Sequence, residues 1–366
     1  MIESGKIAVM DSARGKFHIE THKIPAVEDG ACLIQIELSG ICATDVHHWE
    51  KSQKGPIVYG HEFCGRIAKL GNGRSKDYLG RELEVGDRIA VRPGMNCGTC
   101  YWCTTGNVPT NCENALSFGA YQEPWFTGGH AEYMYLPSSN EVVFKTECSA
   151  EAASLVEPLS CAVNEIMTAQ QQIGDTVVVQ GTGPLGLLTI ACARFYGAGK
   201  IIAVGGPDYR LNIARELGAD VTININDIKN PEERIKHVLD ETISSRGADV
   251  VYECAGVPQA VSEGLEYLRH GGTYLEAGNC SDGGEILINP FRQICSKVIR
   301  IATTWGSGTE HFVRAMSMIE SGRIPLEMLI THKVPFSRLD EAFECIATDY
   351  MLDGREAVKI ALDPRM

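Results

Sequence analysis

Around residue 150 the chain changes its grain. Before that point, KIAVM, FHIETHKI, CLIQIELSGIC, GRIAKLG and DRIAVRP are β-rich runs bounded by Gly, Pro, Asp and Asn, with no long periodic helix between them. Many short strands of this kind predict a barrel-like β domain. From Ala150 a helical segment (AEAASLVEPLSCAVNEIMTAQ) gives way to strand and helix in alternation. TVVVQ precedes LGLLTIACARFYG, IIAVG precedes DYRLNIARELG, VTINI precedes PEERIKHVLDETISS, and ADVVYEC precedes QAVSEGLEYLRH. That alternation predicts a doubly wound parallel sheet, so the fold class is α/β with a β-barrel domain beside it. After about residue 300 come a helix (TEHFVRAMSMIESG) and the strand-like AVKIAL. A chain of 366 residues is long enough for two cores.

Charge narrows the partners. A net charge of −14 opposes a phosphate backbone, so no nucleic acid is expected, and it offers no basic anchor for an anionic membrane. No apolar run approaches the length of a membrane span. The N-terminal stretch MIESGKIAVMDSARGKFHIE has no apolar signal segment, and fourteen cysteines then suggest a reducing compartment, the cytoplasm.

Four of those cysteines stand together. Cys97, Cys100, Cys103 and Cys112 read C-x2-C-x2-C-x8-C. Two disulfides or four buried thiols are the alternatives, but the short gaps suit a tetrahedral zinc shell better than disulfides between neighbours. A closed four-sulfur shell leaves no open position for chemistry, so it predicts a structural staple and an active site elsewhere.

Gly181-Thr182-Gly183-Pro184-Leu185-Gly186 joins the strand TVVVQ to its helix. A G-x-G-x-x-G in this setting predicts a dinucleotide cradle, with the pyrophosphate on the helix N-terminus. The acid that usually ends the next strand and receives the ribose is missing; Gly205 stands there. Arg210 would then pair with a 2′-phosphate or simply start a solvent-facing helix, and Asp208 would replace the acid. NAD and NADP both remain open.

The remaining reactive side chains sit near two early glycine turns. One segment is Gly40-Ile41-Cys42-Ala43-Thr44-Asp45-Val46-His47, another is Tyr59-Gly60-His61-Glu62, and Glu157 lies in Val156-Glu157-Pro158-Leu159. Singly, Cys42 reads as a core thiol, His61 as a turn histidine and Glu157 as a surface acid. Together they supply thiolate, imidazole and carboxylate, a set that binds zinc through three groups and leaves a fourth position open. A zinc ion so held polarises an alcohol or carbonyl oxygen.

Taken in order, these motifs resemble the zinc-dependent medium-chain alcohol/polyol dehydrogenases, near the sorbitol and threonine dehydrogenases. The resemblance covers essentially the whole chain. It implies a GroES-like catalytic domain over residues 1–155 and 301–366, with a structural zinc loop at about 95–113. A Rossmann domain over 156–300 is implied between them, with the active-site cleft at their junction. Two zinc ions per subunit, NAD or NADP, and an alcohol or ketone substrate follow from it. So does a homodimer or homotetramer, for which the apolar Val298–Ile301 stretch suits an edge strand. Carried over, Cys42 and His61 are catalytic zinc ligands, and Glu62 and Glu157 are the carboxylate candidates. Glutamate rather than cysteine at 157 points toward the polyol enzymes. Asp45 would orient His61, and Thr44 would pass the substrate proton toward His47.

Substrate-lining residues are harder to read. His48, Trp49 and Phe118 are candidates, and Tyr121, Trp125 and Phe126 either shape a pocket or pack the cysteine lobe. Trp305 is placed near the nicotinamide or at a subunit contact. Two rival readings are a zinc-free quinone or enoyl reductase on the same fold, which needs neither Cys42 nor His61, and a non-enzymatic zinc-loop binding module.

Overall fold

Runs such as Cys32–Gly40 (CLIQIELSG) are almost wholly buried along their length, which is how a strand reads when it is covered on both faces. In the computed structural model, which describes residues 3–51, 55–105, 109–116 and 118–366, such runs form two compact units. The first comprises Met1–Glu157, Ala315–Gly322 and Leu326–Met366; the second comprises Pro158–Arg314 and Arg323–Pro325.

The first unit begins with an antiparallel ribbon, β1 (Ser4–Val9) and β2 (His18–Lys23). Its main sheet is built from β3 (Cys32–Gly40), β4 (Glu62–Leu70), β5 (Arg88–Val91), β6 (Tyr133–Leu136) and β7 (Val143–Lys145). Two strands from the far end of the chain, β14 (Ile330–Val334) and β17 (Lys359–Leu362), complete it in the order β14-β17-β3-β4-β5-β7, with β6 also on β3. Between them a small hairpin pairs β15 (Met351–Leu352) with β16 (Arg355–Glu356). Helix α1 (Ala43–Lys51) follows β3, α2 (Tyr101–Thr105) lies in the cysteine loop, and α3 (Ala150–Ser154) backs β3 and β4.

In the second unit, six parallel strands run in the order β10-β9-β8-β11-β12-β13. They are β8 (Thr176–Gln180), β9 (Lys200–Gly205), β10 (Val221–Asn224), β11 (Ala248–Glu253), β12 (Leu268–Glu276) and β13 (Arg300–Thr303). Every residue of β8, TVVVQ, is buried, as a central parallel strand requires. The helices are α4 (Val156–Ala169), α5 (Pro184–Phe195), α6 (Asp208–Glu216), α7 (Pro231–Asp240) and α8 (Pro258–Tyr267). Helix α9 (Thr309–Glu320) follows β13, and α10 (Leu339–Ala347) lies near the end of the chain. Strand order reverses between β8 and β11, the switch point at which such sheets take ligands. The second unit runs on to Arg314 and so takes in β13, which the expected boundary at residue 300 would have cut. No helix of the described residues is long and apolar enough to cross a membrane.

Candidate active site

Helix α1 starts just after Cys42, and its first turn explains the local geometry. The Cys42 backbone N–H donates to Asp45 Oδ2 at 3.2 Å, the back-reaching half of a capping box. The other oxygen, Oδ1, lies 3.2 Å from His61 Nδ1. One buried carboxylate therefore fixes both the turn that carries Cys42 and the ring of His61. Burial opposes charge on both partners. Even so, His61 holds the Asp45 carboxyl below its usual range, while Asp45 and then the Cys42 sulfur hold the imidazole well above its own. The Thr44 N–H points at Cys42 Sγ, 3.4 Å away.

His61 is set in place by its neighbour. Gly60 has φ +97°, and a Cβ there would lie 2.6 Å from both the N and the Nδ1 of His130 and 2.7 Å from Ser39 Oγ. His130 is fully buried, its Nδ1 2.9 Å from Ser39 Oγ, and burial pushes its pKa down to about 4. Beyond His61, Glu62 opens β4 and is 2 % exposed. Ligand atoms of Cys42, His61 and Glu62 lie within 4.8 Å of one another, a separation that fits one metal ion. Glu157, in the first turn of α4, has its pKa pushed up to about 7 by burial. His61 works against that rise and Glu62 adds to it, which puts Glu157 in the same electrostatic neighbourhood.

Two residues of this neighbourhood escaped the sequence reading. One is His130; the other is Lys359 on β17, 4 % exposed and ion-paired with Glu62 Oε2. A lysine inside the otherwise apolar AVKIAL was the available signal for the second. His130 carried none, since GGHAEY reads as a turn.

The other candidates scatter. Thr44 and His47 stand three residues apart on α1, both partly exposed. His48 is exposed. Trp49 corrects the expectation of a pocket wall: it is 5 % exposed, donates its Nε1–H to the Gly15 carbonyl at 2.9 Å and meets Phe343 edge-on in the barrel core. Phe118 leans on Phe63, ring centroids 5.9 Å apart, at the margin of a second core cluster. Tyr121 bonds to Glu20, Trp125 stacks on His22, and Phe126 is fully buried, so this loop packs onto the β1–β2 ribbon.

The four-cysteine cluster also assembles. Cys97, Cys100, Cys103 and Cys112 bring their sulfurs within 4.8 Å of one another without a disulfide. The Cys97–Cys103 and Cys100–Cys112 pairs are 4.0 and 3.9 Å apart. A tetrahedron with Zn–S bonds of about 2.3 Å has edges of about 3.8 Å. The Thr99 N–H, its hydroxyl and the Cys100 N–H draw Cys97 down to about 5, so the thiolate a metal requires is already favoured.

In the second unit the glycine turn has the shape its spacing predicts. Gly181 has φ +92°, and a Cβ at Gly186 would strike the Gly181 carbonyl oxygen at 2.0 Å. Gly183 caps α5 with no side-chain hydrogen bond, and a Cβ there would meet nothing within 4 Å. That space, in front of the free N–H groups of the first turn, fits a pyrophosphate. Gly205 has a steric reason: a Cβ would lie 2.6 Å from Thr182 Oγ1, which is itself bonded to Gly206. Asp208 accepts from Asn224 at 2.8 Å. Arg210, read as either a phosphate partner or a solvent-facing residue, is 7 % exposed.

A donor set suited to a Lewis-acid metal in one unit and a pyrophosphate cradle in the other define a metal-assisted, dinucleotide-dependent oxidoreductase. Comparison with known proteins makes this specific. Residues 28–147 match the alcohol dehydrogenase GroES-like domain, and residues 184–321 match the zinc-binding dehydrogenases. D-xylulose reductase A of Aspergillus oryzae is 32% identical over 335 residues, 90% of each chain. An alcohol dehydrogenase from Thermotoga maritima superposes with a TM-score of 0.90 at 30% identity, covering 98% of this chain and 99% of the other. A zinc-binding dehydrogenase from Sinorhizobium meliloti, solved with NADP, gives 0.84 at 26% identity over the whole of both chains. The chain belongs to the zinc-dependent medium-chain dehydrogenases, with a GroES-like and a Rossmann domain, and acts on CH–OH groups with zinc and NAD(P). The zinc-free reductase and the non-enzymatic module are thereby set aside.

Proposed function

We propose that this chain oxidises a secondary hydroxyl of a polyol to the ketone, reversibly, with NAD(P). The observation that carries the reading is the convergence of Cys42, His61 and Glu62 within 4.8 Å beside the start of α1. The Aspergillus oryzae relative is named a D-xylulose reductase, which supports a sugar-like ketone and its polyol as the substrate pair.

Cys42, His61 and one carboxylate of Glu62 and Glu157 would hold the catalytic zinc, and Cys97, Cys100, Cys103 and Cys112 a structural one. When bound, zinc polarises the substrate oxygen and nicotinamide exchanges the hydride. The side chains do the rest. Asp45 takes the Nδ1–H of His61 and so leaves the Nε2 lone pair for the metal. Thr44 accepts the substrate hydroxyl proton and hands it to His47, one turn along the same face of α1. Burial, and then Lys51, keep the His47 pKa below its usual value, so the ring is neutral and able to accept. His47 is partly exposed and releases the proton to water. The α5 first turn receives the pyrophosphate.

We place the enzyme in the cytoplasm, where its thiols stay reduced. A homodimer or homotetramer forms through the edge strand β13, beside which Val298, Ile301 and Trp305 are 77%, 49% and 64% exposed. Zinc analysis of the purified protein, followed by turnover of xylitol and sorbitol with NAD+ and with NADP+, tests the scheme. Two zinc ions per chain and polyol oxidation are expected; zinc-loaded protein that turns over no polyol and no ketose overturns it.

A further inference from the structure

Glu165 on α4 is 1 % exposed. Among the described residues, no lysine, arginine or histidine bears on it. Its Oε2 lies 2.7 Å from Thr189 Oγ1 and 3.7 Å from Cys254 Sγ. The Thr189 oxygen is also 2.9 Å from the carbonyl oxygen of Leu185, in the first turn of α5.

A hydroxyl carries one hydrogen, so Thr189 cannot donate to both neighbours. With Glu165 protonated, the chain runs in one direction: Glu165 donates to Thr189, and Thr189 donates to Leu185. With Glu165 ionised, the Thr189 hydrogen turns to the carboxylate and Leu185 loses its second donor. Burial pushes the carboxyl up to about 8, against the pull of Thr189 and Cys254, so the protonated chain holds at neutral pH. The facing titratable groups are Cys192 on α5, Tyr252 on β11 and Cys254 just beyond it. Burial raises all three above their usual values, so they stay neutral and supply no compensating charge.

This chain ends beneath the cradle. Leu185 follows Pro184 and the open Gly183, and a Cβ on Gly186 would come within 3.4 Å of Cys254 Cβ. A charge on Glu165 would thus lie buried under the helix end that receives an anion, where low polarity strengthens repulsion.

We propose that Glu165 is a positioning residue that, through Thr189, sets the first turn of α5 and ties dinucleotide affinity to pH, tight while protonated and weaker once ionised. The proposal rests on the reading of the glycine turn as a dinucleotide cradle. Binding near pH 8.5 then takes up a fraction of a proton from water at Glu165, about half of one for a tenfold coupling, because linkage is reciprocal.

Calorimetric titration of the zinc-loaded enzyme with NADH and with NADPH, from pH 7 to 9.5, tests it. The wild-type Kd is expected to rise about tenfold across that range, a coupling of ordinary allosteric size. In Glu165→Gln and Glu165→Met it should change less than twofold. Titration of the wild type at pH 8.5 in two buffers of different ionisation heat reads proton uptake directly and needs no variant. A wild-type profile as flat as the variants', or no proton uptake, overturns the proposal. Failure of wild type and variants to bind either dinucleotide at any pH overturns the cradle reading and the proposal with it.

Discussion

Lys359 is ion-paired with Glu62, and the two side chains are 5 % and 2 % exposed. Gly40, paired in register with Glu62 and lying one strand from β17, makes room for them: a Cβ there would meet Glu62 Oε2 at 2.5 Å and Lys359 Cε at 3.1 Å. Burial works against the ammonium, yet Glu62 and Cys42 keep its pKa above the usual lysine value. Removing one member of a buried pair strands the other charge. Lys359→Met is therefore expected to destabilise the protein by about 3 kcal/mol in urea unfolding. Lys359→Met with Glu62→Gln should recover most of that loss; a double variant as unstable as the single one would mean that packing, not charge, is at stake.

Cys42→Ser should reduce zinc from two ions per chain to one and abolish turnover. Dinucleotide affinity should stay within about twofold, because Cys42 and the glycine turn lie in separate units. Metal analysis beside cofactor fluorescence checks both halves.

Two glycines of the cradle should part company. Gly183→Ala adds a methyl group to open space, so the melting temperature of the cofactor-free protein should hold while dinucleotide affinity falls about tenfold, a cost of about 1.4 kcal/mol. Gly186→Ala drives a methyl group into the Gly181 carbonyl and should cost about 2 kcal/mol of stability as well. Equal melting losses in the two variants would contradict the geometry.

Glu253 gives stability a pH dependence. It is fully buried, and burial, with Glu276 next in size, pushes its pKa up to about 8. The folded state then keeps a proton that the unfolded chain releases near the ordinary carboxyl value of 4.5. Stability should fall as pH rises between those two values, since there the native state binds more protons. Glu276→Gln removes the like charge and should lessen the loss by about 1 kcal/mol, roughly one pKa unit. Melting curves from pH 5 to 9 for both proteins decide it.

What the sequence made legible was what is written locally. The glycine turn and the four-cysteine loop each lie within sixteen residues or fewer, and their spacing alone fixes the shape of a turn or a shell. Strand–helix alternation likewise revealed the parallel sheet, because the period of a segment reports how it is covered. The lone lysine of AVKIAL stands out in the sequence, but its meaning depends on an ion pair across nearly 300 residues, which no local pattern reports. Trp49 misled for a related reason. Its neighbours Thr44 and His47 on α1 are the proposed proton relay, but the helix turns Trp49 the other way, onto Phe343.

β17 sits between β14 and β3, and through Lys359 it reaches Glu62. On the ribosome, Cys42, His61 and Glu62 emerge nearly 300 residues before the strand that closes over them. Synthesis thus completes the whole dinucleotide-binding unit before the barrel can shut. A nascent chain released short of Ile360 would carry every zinc donor named above and still leave the sheet with an open edge at β3, a target for proteolysis or for pairing with another chain.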